Sequence, residues 1–104
     1  MLRKYSSVLD YLRNYIEIAK AIKKIVTHYD SEAEVYVFGS VVKGQYTGAS
    51  DIDILIISEK RDLEYKIKVE VYRKFPEAPL EIHFTSKEGF RKWYSKFIDS
   101  MIKV

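Results

Sequence analysis

The chain contains no cysteine, two prolines, four glycines, one asparagine and one glutamine among 104 residues. Without cysteine there is no disulfide, no zinc-thiolate site and no cysteine nucleophile, and the expected location is the cytoplasm. Long apolar runs are missing too. The longest stretch free of charge is the eight residues from Val35 to Val42, whereas a membrane span needs about 20 apolar residues. Asp10 and Arg13 interrupt the region where an export signal would carry its apolar segment. Scarce amides beside abundant Lys, Glu, Ile and Tyr lean toward a heat-adapted source. With 47% hydrophobic and 32% charged residues, the expectation is one domain spanning 1–104. A chain of this size buries roughly two thirds of its unfolded surface, which supports one core and a shallow groove rather than an enclosed chamber.

The net charge of +3 is too small a surplus to mark a nucleic-acid binder, and direct nucleic-acid binding is not expected. Its distribution is more informative. Residues 1–31 and 86–104 each carry +3, while residues 32–58 hold one base, Lys43, against four acids. An acidic centre containing a glycine-rich turn points to a divalent metal mediating any phosphate contact.

Apolar residues at 8, 9, 12, 15, 16, 19, 22, 25, 26 and 29 predict one long amphipathic helix from Ser7 to about Tyr29. Ala33–Phe38 predicts a short strand, and Gly39–Ser50, with glycines at 39, 44 and 48, predicts a loop with one helical turn after Ser40. Asp51–Ser58 (DIDILIIS) is the strongest strand pattern, alternating at its start and apolar on both faces further on. Apolar positions 63, 67, 71 and 75 predict a second helix over 60–75, closed by Pro76 and Pro79. Leu80–Phe84 predicts a third strand, with Glu81 and His83 on the face opposite Leu80, Ile82 and Phe84. Thr85 and Glu88 have capping-box spacing, and Phe90, Trp93, Tyr94, Phe97 and Met101 form a helical stripe. The fold class is α/β in the α+β sense: a small mixed sheet of about three to four strands packed with helices, in the order α-β-β-α-β-α.

Three features meet around the predicted middle strands. Asp51 and Asp53 are two apart on a strand and share a face, which makes a pair of hard oxygen donors suited to Mg²⁺. Gly39 and Ser40 allow a close backbone approach to a phosphate, with a hydroxyl to donate to it. Glu81 joins the two aspartates if its strand pairs beside residues 51–58. Carboxylates converging in this way repel one another unless cations neutralise them. Such a set suits two-metal phosphoryl or nucleotidyl transfer, with ions about 4 Å apart.

Gly39-Ser40 followed by Asp51-Ile52-Asp53, in GSVVKGQYTGASDID, resembles the signature of the DNA polymerase β-like nucleotidyltransferase superfamily, and the chain length resembles its minimal nucleotidyltransferase branch. The resemblance implies the nucleotidyltransferase fold. It also implies that Gly39, Ser40 and Lys43 bind the nucleoside triphosphate, that Asp51, Asp53 and Glu81 are catalytic and hold the metal, and that Glu81 helps deprotonate the incoming hydroxyl. Two Mg²⁺ ions are implied as cofactors and ATP as substrate. Members commonly have Asp where Glu81 stands and Arg where Lys43 stands; Lys43 offers a point charge in place of a bidentate fork. In the minimal branch the partner is typically an all-helical HEPN toxin, so the resemblance implies an antitoxin that transfers AMP to a hydroxyl, a tyrosine of the toxin in some pairs.

Two other functions remain open on the residues alone. One is a binding module that neutralises its partner by contact, and the other is transfer to a small molecule or an RNA end. Ordinary structural readings accompany several of these residues. A Gly-Ser pair serves many strand-to-helix turns, Asp51-Ile52-Asp53 suits a solvated strand edge, and Glu81 suits an open surface. His83 is of a kind more often structural or exposed. Tyr46 has the option of stacking on a base but is an ordinary loop tyrosine, and the stripe from Phe90 to Met101 has the spacing of core packing or a partner face.

Overall fold

The computed structural model describes residues 5–104, except for the side chains of residues 97–99. Phe97, a member of the predicted stripe, falls among those side chains. Helix α1 (Val8–Arg13) starts at Ser7, whose hydroxyl accepts the Asp10 N–H at 3.2 Å, while the Asp10 carboxylate accepts the Ser6 N–H at 3.0 Å. The serine satisfies a donor that a helix start leaves open, and the aspartate ties down the residue before the cap. The single long helix expected from periodicity is instead two. At Asn14 the backbone leaves helical geometry (φ −107°, ψ 29°), the side-chain amide donates to the Asp10 carbonyl at 2.8 Å, and α2 (Tyr15–Tyr29) follows. The one asparagine of the chain competes locally with the helical ladder, which spacing of apolar residues cannot reveal.

Helix α2 buries Ile18, Ala19, Ile22, Ile25 and Val26, a continuous stripe that packs on the sheet. The sheet has the order β3-β2-β1-β4. Strand β1 (Glu34–Phe38) pairs antiparallel with β2 (Ile52–Ile57), and β2 pairs parallel with β3 (Leu80–Thr85). Central β2 is buried on both faces, as its near-continuous apolar run predicts. Between β2 and β3 the chain crosses over through a 3₁₀ turn at Arg61–Leu63 and helix α3 (Glu64–Lys74), which buries Ile67 and Val71. Helices α2 and α3 therefore lie with Val35, Val37, Ile52, Ile54 and Ile56 in one core.

The opposite face carries Phe38, Leu55 and Ile57, covered by Tyr36, Phe90, Tyr94 and Met101. Most of that cover comes from the C-terminal segment, which differs from the expected helix in three respects. Its cap is Ser86, whose hydroxyl accepts the Gly89 N–H at 3.1 Å, because Thr85 is still the last residue of β3. After the short helix α4 (Lys87–Gly89) the backbone runs as a π turn over Phe90–Tyr94 and a 3₁₀ stretch over Ser95–Ser100. It ends in β4 (Ile102–Lys103), a two-residue strand paired antiparallel to β1 at Tyr36 and Val37. Covering the β1 edge in this way removes a row of unpaired backbone groups. A strand so short has no alternating pattern of its own to announce it.

The end of β2 is tied to the end of α2. The Ser58 hydroxyl donates to the buried Asp30 carboxylate at 2.6 Å, the Glu32 N–H donates to the same carboxylate at 3.0 Å, and the Ser58 hydroxyl accepts the Lys60 N–H at 3.0 Å. Donation by Ser58 is the main reason the Asp30 carboxyl lies below the ordinary carboxylate range; the Glu32 N–H and the Lys60 charge add to it, and burial opposes them.

Candidate active site

The other end of β2 is built differently. Pairing of β1 with β2 sets Phe38 opposite Asp53, and pairing of β2 with β3 sets Asp53 opposite Glu81 and Leu55 opposite His83. Asp53, Glu81 and His83 consequently project from one face at one end of the sheet. One donor atom from each lies within 4.8 Å of the others. His83 Nε2 is 3.8 Å from Asp53 Oδ1 and 3.6 Å from Glu81 Oε1, both longer than a hydrogen bond. The side chains of Asp53 and His83 are 21% and 26% exposed and that of Glu81 is 54% exposed, so the group opens outward through the glutamate.

Gly39 closes the site from the β1 side. It follows the last residue of β1 with φ +88°, and a β-carbon there would collide with Asp53 Oδ2. Glycine is required twice, for the backbone angle and for the space the carboxylate occupies. The chain then turns through i to i+3 bonds, Val42 N–H to the Gly39 carbonyl, Lys43 to Ser40 and Gly44 to Val41. The helical turn expected after Ser40 is instead a succession of hydrogen-bonded turns, and no helix forms between β1 and β2. Those amides are committed to carbonyls, so what the turn offers a phosphate is its Gly39–Ser40 corner beside Asp53. Lys43 is exposed on the turn, and Tyr46 packs against the core, in keeping with an ordinary loop residue.

Asp51 stands just outside β2 and is exposed. It is not one of the three residues within 4.8 Å of one another, although its charge reaches Asp53. Burial is the first cause that lifts the Asp53 carboxyl above its ordinary range; the charges of Glu81 and Asp51 act in the same direction and His83 against them. The carboxylates that spacing singled out thus act on one another, and His83 joins the group they form. Alternation in Leu-Glu-Ile-His-Phe already placed His83 on the Glu81 face. What spacing could not supply was the register that sets that face against Asp53.

A family model of the nucleotidyltransferase domain matches residues 15–103. The chain belongs to the nucleotidyltransferase domain family. A crystal structure of a candidate nucleotidyltransferase is 30% identical to it, with a TM-score of 0.67 and an alignment covering 88% of this chain and 98% of that one. A second candidate nucleotidyltransferase, from Sulfolobus solfataricus, shares the fold at 19% identity, with a TM-score of 0.59 and coverage of 99% of this chain and 90% of its own. No curated protein matches the chain.

Nucleotidyltransferase domains typically use a divalent metal, and the residues of this one fit such an ion. His83 Nε2 is shut off from solvent with no hydrogen-bond partner, alone in this among the side-chain atoms of the described residues. Leaving a buried polar atom unsatisfied costs about 1–3 kcal/mol. A cation met by Asp53, Glu81 and His83 would satisfy that nitrogen and neutralise the carboxylates whose mutual repulsion shows at Asp53. Among the described residues, no helix is long and apolar enough to cross a membrane.

Proposed function

We propose that this nucleotidyltransferase moves AMP from ATP to a hydroxyl of a separate protein, and that in the cell it is the cytoplasmic antitoxin of an all-helical HEPN toxin, modifying a tyrosine of that toxin as some pairs of the minimal branch do. The observation that carries the transfer chemistry is the meeting of Asp53 and Glu81 across paired strands, directly beside the Gly39–Ser40 corner. Divalent cations held by Asp51, Asp53 and Glu81 would supply charge stabilisation for the triphosphate and the departing pyrophosphate.

The chain's own residues do the positioning. Gly39 lets the triphosphate approach the strand end closely, and the Ser40 hydroxyl donates to a phosphate oxygen. Lys43, on the same turn, lends positive charge to the outer phosphates. The acceptor oxygen attacks the α-phosphorus, the bond from that phosphorus to the bridging oxygen breaks, and pyrophosphate leaves. Glu81, at the open side of the group, takes the proton of the acceptor hydroxyl. Because the site is open at the end of a sheet, the acceptor has to bring its own complementary surface. That favours a folded protein over a small molecule.

Incubating the chain with its helical partner, Mg²⁺ and ATP labelled at the α-phosphate tests the reading. Label is expected on a partner tyrosine and absent with Asp53→Asn. If the partner is neutralised at full strength by Asp53→Asn, the chain acts by contact instead; if only added RNA is labelled, the acceptor is an RNA end.

A further inference from the structure

We propose that His83 is itself a metal ligand through Nε2, completing with Asp53 and Glu81 a mixed nitrogen and oxygen centre that prefers Mn²⁺ to Mg²⁺. The inference rests on the metal-dependent transfer proposed above and names the group that tunes it.

Donors about 2.1 Å from one first-row ion stand roughly 3.0–3.4 Å from each other in octahedral or tetrahedral arrangements. The separations of 3.6 and 3.8 Å from His83 Nε2 to the two carboxylates are a few tenths longer, as expected of donors that close on an ion between them. They are too long for a direct histidine–carboxylate bond. An imidazolium paired to a carboxylate draws its N–H to about 2.7–2.9 Å, and neither oxygen is that close.

The surroundings hold each donor in place. Asp53 Oδ2 lies over Gly39, so Oδ1 is the oxygen turned to the histidine. The imidazole sits between the Phe38 ring at 5.4 Å and the Tyr94 ring at 5.9 Å, on a strand position fixed opposite Leu55. Neither ring neighbour takes a hydrogen bond from Nε2, which remains buried and unpartnered. Three oxygen ligands would suit Mg²⁺, which keeps much of its water and takes carboxylates and phosphates. A first-row transition ion such as Mn²⁺ accepts an imidazole nitrogen more readily than Mg²⁺ does, so a nitrogen among the donors favours Mn²⁺ of the two.

The test uses the intact chain and MnCl₂ without nucleotide. Pulsed electron paramagnetic resonance detects ¹⁴N coupling to bound Mn²⁺, and the chain has two histidines, His28 and His83. His28 lies on α2 in a groove formed with α3, so it serves as the control. Coupling is expected in the wild type and in His28→Gln and is lost in His83→Gln. Mn²⁺ affinity should fall in His83→Gln by at least the about tenfold that loss of a supporting group costs, with a smaller change for Mg²⁺, both by calorimetry. Bound Mn²⁺ without nitrogen coupling in the wild type overturns the assignment, as does coupling that follows His28, or no Mn²⁺ binding at millimolar concentration. If His83→Gln does not fold, the wild-type and His28→Gln spectra decide on their own. Labelled-ATP transfer by the same preparation separates the two readings: transfer without nitrogen coupling removes His83 from the centre and leaves the enzyme intact.

Discussion

Two aspartates mark the two ends of β2, and their surroundings are opposites. Asp30, against Ser58 just beyond the last residue of the strand, has its carboxylate engaged by a hydroxyl and a backbone N–H, with a lysine 4.0 Å away. Asp53, near the first residue, faces a second carboxylate across the paired strands and an imidazole 3.8 Å away, too far for a hydrogen bond, with its other oxygen pressed on a glycine. The first end lowers the carboxyl's proton affinity and the second raises it. A carboxylate that holds a fold together has its partners inside the chain. One that works on a ligand is left short of them, at a cost in stability that the core behind it offsets.

Asp53→Asn should part the two ends most sharply. Transfer is expected to fall on the order of a hundredfold or more, while the melting temperature at neutral pH holds or rises, because a charge the fold disfavours has been removed. A substantial drop in melting temperature would show that Asp53 is a structural carboxylate like Asp30. Gly39→Ala should follow, losing about 2 kcal/mol or more from the left-handed backbone and the collision with Asp53, with activity declining alongside. Urea unfolding together with a transfer assay would register both; an unchanged variant would mean that Asp53 can move aside freely. Ser58→Ala, at the opposite end, leaves a buried carboxylate without its hydroxyl donor and should cost about 1–3 kcal/mol in urea unfolding, with transfer by the folded chain unaffected.

The subtlest contrast is in pH. The Asp30 carboxyl is lowered in the fold, so the unfolded chain binds its proton more readily. Its stabilisation is complete above the ordinary carboxylate value of about 3.9 and is lost as pH falls through the lower folded value. Asp53 is raised, so the sign reverses: the folded chain takes its proton more readily, and stability declines as pH rises from about 3.9 through the higher folded value. Asp30→Asn should therefore be less stable than wild type at neutral pH, by a gap that closes in acid. A gap that stays constant across urea titrations from about pH 3 to 7 would deny Asp30 this role.

Much of the architecture could be read along the chain because its patterns are local. DIDILIIS announced a strand buried on both faces, positions 63, 67, 71 and 75 the inward side of a helix, and Leu80–Phe84 the face that Glu81 shares with His83. Misreadings arose where one side chain or a distant strand overrode the pattern. Asn14 broke a periodic helix with a local hydrogen bond, Ser86 took the cap because pairing with β2 held Thr85 in its strand, and β4 exists only because the β1 edge was there to receive it.

The candidate site divides along the same line. Residue order alone settled that Asp51 and Asp53 stand at the start of an apolar strand, that a glycine-serine corner ends the strand before it, and that Glu81 and His83 point the same way, since alternation in a strand is a property of neighbours in the chain. Which of these groups meet was settled by register between segments roughly 30 residues apart, a long-range match governed by packing of whole faces. Register set Glu81 opposite Asp53, put His83 beside them and left Asp51 outside. It also pressed Asp53 onto Gly39, so that a glycine that spacing had suggested for a phosphate is required by the carboxylate as well.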